Sequence, residues 1–310
     1  MSLEQGCRAL GVNERTIRRW GSESEMPQRS GNPCPHNALT EAEKTALEAV
    51  CRQKELADHS VRALSFHLLE QQDTYISHVT INRHLQAKGV RGSRKRGRRR
   101  PRDGGKPDVS FAQGPNELWC WDVTWLRRDT PWKHFYAYVI EDYVSRKIVG
   151  GRVEEALHSR LATELWDEAI LAEGLIEEPR ACWPASLSDR GGQMKSRHTR
   201  HYFGASGILQ FFSRPRTPDD NAWIEALFST MKTRLDYPGY FSTLAEAREW
   251  LAAFVKWYNN EHHHSSLGYV TPDQRHRGVH EEILAARKAK IAACLATRKE
   301  ANSQLRSRTA

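Results

Sequence analysis

Cysteine is scarce in this chain, and long apolar segments are missing. The six cysteines among 310 residues are scattered without a CxxC pair, which argues against a disulfide framework and against a zinc knuckle. No apolar run approaches the roughly 18 residues of a membrane helix, and the sequence does not open on a charged-then-apolar signal. We therefore expect a soluble protein of the cytoplasm with no membrane partner.

Positive charge is abundant instead. The net charge is +9 and the pI is near 9.3, so a polyanion is the first partner to consider. Charge alone leaves ribosome-binding and membrane-surface proteins open. The length allows two or three domains, and 39% apolar residues with ten Trp are enough to build a core.

Two segments at the start have the pattern of a helix-turn-helix. Residues 1–30 predict two short helices about a turn at Gly11. Residues 38–90 predict a second such domain with helices over 40–55, 60–71 and 79–88, of which the first begins at a capping box of Thr40 and Glu43 and the last is capped by Ser77 or Thr80. Either pattern taken alone also fits a plain helical hairpin. In the DNA-binding interpretation the second helices present these side chains to the major groove: Arg15, Arg18 and Arg19 in the first domain, Asn82 and Arg83 in the second.

A basic linker follows over residues 91–112. Between Lys88 and Lys106 lie ten basic residues and one acidic residue, with Gly and Pro interspersed, so the segment is unable to pack a core. A solvated tether is one interpretation. We favour DNA contact along the phosphates by Arg94, Lys95, Arg96, Arg98, Arg99 and Arg100.

Residues 113–275 predict an α/β domain. Strands are expected over 117–126, 133–141, 147–153, 186–188 and 208–212, with helices over 158–173, 196–203, 219–235 and 244–259. This order predicts an RNase H-like core, a mixed five-stranded sheet flanked by helices and preceded by the small all-α helix-turn-helix domains. Residues 276–310 are expected to form a basic helix, peripheral or used in assembly.

Two aspartates stand at positions suited to metal chemistry. Asp122 lies mid-strand among large apolar residues, where a carboxylate is costly to desolvate unless it is paired or metal-bound. Asp189 follows a short strand and precedes Gly191 and Gly192, which we expect to turn the backbone sharply towards a phosphate. A salt bridge for Asp122 and an ordinary turn for Asp189 are the alternatives.

Glu225 is the third acid, on the helix predicted over 219–235. Helical spacing places Asn221, Glu225 and Lys232 on one stripe, which offers a metal ligand, a polar orienting group and a cation for DNA. A surface helix with polar residues at this spacing is the alternative. Three carboxylates with DNA phosphate oxygens suffice to hold two Mg²⁺ ions for phosphodiester cleavage.

These residues resemble the bacterial insertion-sequence transposases of the IS-three family, whose core is of the retroviral-integrase type. Asp122 in WCWDVTWL, Asp189 in SDRGGQ and Glu225 in DNAWIEALFSTMKTRL match the family's DDE triad, with 35 residues between Asp189 and Glu225. SRKIVGG and WYNNEHHHSSLGYVTP resemble its third strand and its closing motif. EHHHSS lacks the family's usual Arg-Pro, and Gly192 stands where Ser is common, which puts DNA-end preference in doubt.

The resemblance implies a DNA transposase that cleaves and joins strands through the triad. It further implies two Mg²⁺ ions, for which Mn²⁺ can substitute, binding to the terminal inverted repeats and to target double-stranded DNA, and a homo-multimer near the nucleoid. Two other functions stay open. One is a non-catalytic sequence-specific DNA-binding protein, a domesticated transposase, and the other is a nuclease of the RNase H class that cuts without joining.

Overall fold

The computed structural model describes residues 35–53, 56, 59–89, 107–214 and 221–309, with side chains to residue 307. Two predicted DNA-binding segments lie outside the described residues. They are the first helix-turn-helix, with Arg15, Arg18 and Arg19, and the run from Arg94 to Arg100. Within the described part of the chain, no helix is long and apolar enough to cross a membrane.

The 38–90 segment folds into helices α1 (Glu41–Cys51), α2 (Val61–Gln72) and α3 (His78–Ala87). Thr40 and Glu43 form the predicted capping box, in which each side chain accepts a hydrogen bond from the other residue's backbone N–H. Ser77, rather than Thr80, caps α3. The prediction that α1 runs to residue 55 was wrong, since the helix ends at Cys51. The three helices share a small apolar core.

The sheet has five strands, as predicted, in the order β3-β2-β1-β4-β5. The first three form an antiparallel meander, and β4 and β5 run parallel to β1. The bounds are β1 Leu118–Arg127, β2 His134–Asp142, β3 Ile148–Glu154, β4 Ala185–Ser188 and β5 Gln210–Phe212. This is the RNase H-like arrangement expected from the order of strands and helices.

Helices cover both faces of the sheet. One face packs on α4 (Ser159–Ala172) and α5 (Arg197–Ser206), and the other packs on α6 (Ala222–Thr233) and α7 (Leu244–Asn260). Trp119 and Trp121 are buried under the first pair of helices. Trp125, predicted on the same face, is 55% exposed because it lies towards the far end of β1.

Beyond the core, α8 (Pro272–His276) leads into α9 (His280–Thr309). The sequence predicted a basic helix here, peripheral or used in assembly. Helix α9 runs to Thr309 and packs against the α1–α3 unit. Arg287 binds Glu70 at 2.5 Å, Arg298 binds Glu43 at 2.7 Å, and the Asn302 amide donates to the carbonyl oxygens of residues 36 and 38.

The closing motif of the core also reaches the α1–α3 unit. His263 Nε2 lies 3.5 Å from Glu70, and the rings of Tyr269 and Phe66 are 5.3 Å apart. His262 of the same motif contacts the core, since its ring lies against Trp257 and Tyr258. Burial lowers the pKa of His262 to about 3, so this histidine is neutral at pH 7.

Candidate catalytic site

Parallel pairing of β1 and β4 brings two carboxylates to one level of the sheet. Cys120 pairs with Leu187 in the parallel register. Asp122 and Asp189 each follow two residues later, so they leave adjacent strands side by side at the carboxyl end of β4. Adjacent strands are about 4.8 Å apart, so the two acids are neighbours across the sheet, and the charge of Asp189 acts on Asp122.

The surroundings of Asp122 oppose its ionisation. Burial, the largest cause, and the nearby charges of Asp189 and Glu225 together raise the pKa of this carboxyl to about 7. The Val123 backbone N–H, which donates to Asp122 Oδ1 at 2.8 Å, and the charge of Lys232 act in the opposite direction. The three predicted acids therefore interact electrostatically in one place, as like charges with limited compensation.

The loop after β4 holds Asp189 by its own backbone. Gly191 N–H donates to Asp189 Oδ1 at 2.8 Å. The backbone turns here as predicted, with Lys195 N–H donating to Gly191 O at 3.2 Å, although neither Gly191 nor Gly192 has a positive φ. A Cβ at Gly191 would lie 2.9 Å from Met194 Sδ and 3.0 Å from Asp189 Oδ1, so those side chains would have to shift. At Gly192 a Cβ would meet nothing within 4 Å.

Glu225 lies on the exposed side of α6, in the first turn of the helix. The opposite side packs into the core through Ile224, Leu227, Phe228 and Met231, and this packing sets the direction in which Glu225 points. Asn221, predicted on the same stripe, is at the N-cap and is 5% exposed, and its Oδ1 accepts no hydrogen bond. The structure therefore places Asn221 inside the helix start rather than on the open surface.

Lys232, predicted on the same helical stripe as Glu225, lies beside Asp122. Its Nζ donates to Thr124 Oγ1 at 2.6 Å. Burial lowers the pKa of Lys232, and the Asp122 carboxylate acts against this effect. Thr124 was not singled out from the sequence. The available signal was its position two residues after Asp122, on the same face of β1.

The donor set suits a hard divalent cation. Asp122, Asp189 and Glu225 offer oxygen ligands alone, the type that Mg²⁺ prefers, in a place where negative charge is poorly compensated. Among the described residues, no three His, Cys, Asp or Glu side chains are already gathered around one metal position. The backbone hydrogen bonds to Asp122 and Asp189 each use one oxygen of the carboxylate, and a carboxylate ligates through either oxygen. The chemistry of the residues fits Mg²⁺, although the ligands are not preassembled.

Known proteins match this part of the chain. Two family models, both described as integrase core domain, cover residues 112–218 and 206–272. The transposase for insertion sequence element IS904 of Lactococcus lactis subsp. lactis (strain IL1403) is 29% identical over 197 residues, which is 61% of this chain and 74% of the relative. Transposase InsF for insertion sequence IS3A of Escherichia coli (strain K12) is 27% identical over 165 residues, 53% of this chain and 55% of that relative.

The chain contains an integrase core domain over residues 112–272, and the relatives that it is similar to are transposases of bacterial insertion sequences. The chain spans about half the length of the Escherichia coli transposase that it matches. The two integrase-core matches together include Asp122, Asp189 and Glu225.

Two solved structures match this chain with low TM-scores and low sequence identity. The simian T-cell lymphotropic virus intasome in complex with PP2A regulatory subunit B56 gamma has a TM-score of 0.44 and 16% identity, over 68% of this chain and 70% of that chain. The HTLV-2 integrase catalytic core domain in complex with magnesium, in its dimeric form, has a TM-score of 0.40 and 17% identity, over 53% of this chain and 99% of that chain.

One buried cation near the site, Arg146, was not singled out from the sequence. Arg146 is 7% exposed, and its guanidinium lies 3.6 Å from the ring centre of Trp223 and 5.0 Å from that of Tyr143. Trp223 is the second residue of α6 and stands two residues before Glu225. The stacked Arg146 therefore supports the start of the helix that carries the third acid. No local sequence pattern predicts this contact. Arg146 lies in SRKIVGG, which was interpreted only as the third strand.

The predicted DNA contacts of the second helix-turn-helix lie on α3. Arg83 is exposed and Asn82 is half-buried, on the side of the helix opposite the buried Ile81 and Leu85. Their placement is compatible with DNA contact, which stays a prediction.

Proposed function

We propose that this chain catalyses DNA strand cleavage and strand transfer during transposition, with Asp122, Asp189 and Glu225 as the catalytic acids. The observation that carries the proposal is the convergence of the three acids. Two leave adjacent parallel strands at one level, the third points out from α6, and Asp189 and Glu225 both raise the pKa of Asp122. Such crowding of like charges is costly in a purely structural region and typical of a cation site.

The acids would hold two Mg²⁺ ions, or Mn²⁺ in their place. Bound there, the ions supply an activated water or 3′-hydroxyl and stabilise charge on the leaving oxygen. The chain's own residues position the substrate. Lys232, fixed by its bond to Thr124, presents a cation beside Asp122 where a DNA phosphate would lie.

Double-stranded DNA is the proposed substrate, first as the terminal inverted repeats of a mobile element and then as target DNA. Domain boundaries at 38–90, 91–112 and 113–275 divide the work in this proposal. The helix-turn-helix units and the basic linker bind the ends, and the core cuts and joins. The net charge of +9 favours such a polyanion, and a homo-multimer would bring two ends together.

The decisive experiment is strand transfer by the purified full chain on duplex DNA carrying the element's own termini, with Mg²⁺. Glu225→Gln keeps the shape of the side chain and removes its charge. Glu249→Gln, on the exposed side of α7, is the matched control. We expect joined products from the wild type and the control and a loss of about a thousandfold or more in Glu225→Gln, because metal-assisted catalysis supplies several kcal/mol.

Three other results would each overturn part of the proposal. Unchanged joining by Glu225→Gln would remove Glu225 from the catalytic acids. Cleavage without joining by the wild type would indicate a nuclease. Tight binding to the ends without cleavage would indicate a DNA-binding protein that has kept its acids without using them.

A further inference from the structure

The hairpin between β1 and β2 ends in a tryptophan that the fold does not explain. Trp132 is 96% exposed, so its ring contributes nothing to the core. It is the third residue of a turn closed by a hydrogen bond from Lys133 N–H to Thr130 O at 3.2 Å, with Pro131 second. Its φ is +67°, a conformation that suits glycine and strains a bulky side chain. A strained, exposed Trp is better explained by a ligand than by folding.

The tip is held rigidly in spite of its exposure. Arg128 N–H donates to Lys133 O at 3.1 Å within the hairpin. The fully buried Phe241 donates its N–H to Arg127 O at 2.9 Å, and its carbonyl accepts from Asp129 N–H at 3.3 Å. The hairpin therefore presents Trp132 on a fixed support, which lowers the entropy lost on binding.

Further exposed rings surround the tip. Trp125 is 55% exposed and lies 5.2 Å from the His134 ring and 6.2 Å from the Tyr136 ring, measured between ring centres. Tyr240 is 56% exposed and lines a groove of about 470 Å³ together with Arg127 and Arg128 and their neighbours. Aromatic faces at this spacing can stack on bases.

The charge of the tip favours DNA over a protein partner. Arg127 and Lys133 are exposed and form no salt bridge with a described residue. Arg128 lies over the Phe135 ring at 4.5 Å, with Glu155 3.9 Å away. Asp129 is the acidic residue of the hairpin loop itself. Cations interleaved with open aromatic rings match a nucleic acid, which presents phosphates and base faces together.

The position of the tip also fits DNA engaged at the catalytic acids. Asp122 and Arg127 lie on the same strand, five residues apart, which is about 17 Å at 3.4 Å per residue. Five base pairs of duplex span about the same distance. DNA held at Asp122 and running along β1 therefore reaches the hairpin after roughly half a helical turn.

We propose that the β1–β2 hairpin tip, residues 127–134 with Tyr240, is a second DNA-binding surface on which Trp132 stacks against an unstacked base about five base pairs from the reaction centre. This inference rests on the proposed function, since it assumes DNA at the three acids. The DNA is either the element end or the target, which share the chemistry that the tip recognises.

The test compares Trp132→Gly with wild type and Trp132→Tyr in the full chain. Glycine removes the ring and relaxes the positive φ, so we expect an unchanged or higher melting temperature. DNA affinity should fall about tenfold on duplexes that extend about fifteen base pairs past the cleavage point, since a stacked base accounts for a loss of this order. Duplexes that extend about three base pairs do not reach the tip, and their affinity should stay the same.

Trp132→Tyr keeps an aromatic face and should bind within about threefold of wild type. Fluorescence anisotropy with element-end duplexes and with unrelated duplexes, run in parallel, identifies which DNA the tip contacts. Strand transfer by the wild type is measured in the same preparations.

Equal affinity of Trp132→Gly and wild type for the long duplexes would overturn the inference, and so would an equal loss on long and short ones. A wild-type dimer that becomes a monomer in Trp132→Gly, with unchanged DNA affinity, would show a protein interface instead. If the wild type joins DNA and Trp132→Gly binds the long duplexes as tightly as the wild type does, this inference fails and the proposed function stands. If the wild type binds no DNA of any length, the proposed function fails with it.

Discussion

Two regions of this chain differ in how their buried charges are compensated. Where α9 meets the α1–α3 unit, Arg287 binds Glu70 and also donates to the carbonyl oxygens of Gly268 and Tyr269 at 3.0 and 2.8 Å. Where β1 meets β4, Asp122 faces two further carboxylates and a single lysine. One region satisfies its charges with protein groups, and the other leaves like charges together.

This difference distinguishes charges that hold the fold together from charges that suit a bound cation. A buried ion pair with all its donors engaged holds elements in place, and breaking it leaves a costly orphan charge. A crowded set of carboxylates gives no stability of its own and gains its value when a cation arrives. The pKa values follow the same division, since that of Asp122 is raised to about 7 and that of Glu173, which has cationic partners, is lowered to about 2.

The largest effect on stability is expected from breaking the satisfied region. Arg287→Met removes a buried guanidinium and leaves the half-buried Glu70 with His263 as its partner, so the free energy of unfolding should fall by about 2–3 kcal/mol, after allowance for the exposure of Glu70. Urea unfolding followed by tryptophan fluorescence measures the loss, and hydrogen exchange in α2 shows where it acts. Lys290→Met is the matched control, because Lys290 and Asp73 form an exposed pair worth about 0–1 kcal/mol. Equal effects of the two substitutions would contradict this description of the junction.

An effect of opposite sign is expected in the crowded region. Asp122→Asn removes one of the like charges and the cost of burying it, so without divalent cations the chain should become more stable by about 1–2 kcal/mol. Mg²⁺ should raise the melting temperature of the wild type and have little effect on the variant. Thermal unfolding with and without EDTA measures both, with Glu249→Gln as control. A destabilised Asp122→Asn would mean that this carboxylate supports the fold.

The smallest effect on stability is expected at Glu173, a half-buried carboxylate with cationic partners. Burial alone would raise the pKa of Glu173, but hydrogen bonds from His276 and Lys147 outweigh it and lower the pKa to about 2. The folded pKa is therefore below the unfolded value of 4.5, so the stabilisation is complete above pH 4.5 and lost as the pH falls through 2. Glu173→Gln should cost about 1 kcal/mol at pH 7, after allowance for solvent screening.

The same variant should lose less stability than the wild type on acidification. Unfolding curves at pH 7, 4 and 3 measure the difference, and parallel curves for wild type and variant over this range would rule out the proposed linkage.

Local signals predicted most of the architecture. The capping box at Thr40, the cap at Ser77 and the alternation along β1 each act within a few residues, so a sequence pattern contains them. The burial of Asp122 was also predictable, because this aspartate lies amid the tryptophans of β1, where a carboxylate is costly to desolvate. Contacts between distant segments were not. The bond from Arg298 to Glu43 joins residues 255 apart, and no local pattern encodes it.

Two details that the sequence did not predict have the same physical origin. Met194 and Asp189 occupy the space beside Gly191. Arg146 was unnoticed because its partner Trp223 belongs to a helix that follows far along the chain. Both depend on neighbours that only the folded chain supplies.

The long α9 helix also sets an order of events during synthesis. Residues 36–43 emerge from the ribosome well before Arg298 and Asn302, which bind them, are made. At about 5–20 residues per second, roughly ten to fifty seconds separate the two. The α1–α3 unit can fold around its own core in that interval, but it takes its place against α9 only after Arg298 and Asn302 have been made. A premature stop before Arg287 would therefore release a chain that has all three acids and lacks the helix that joins its two halves.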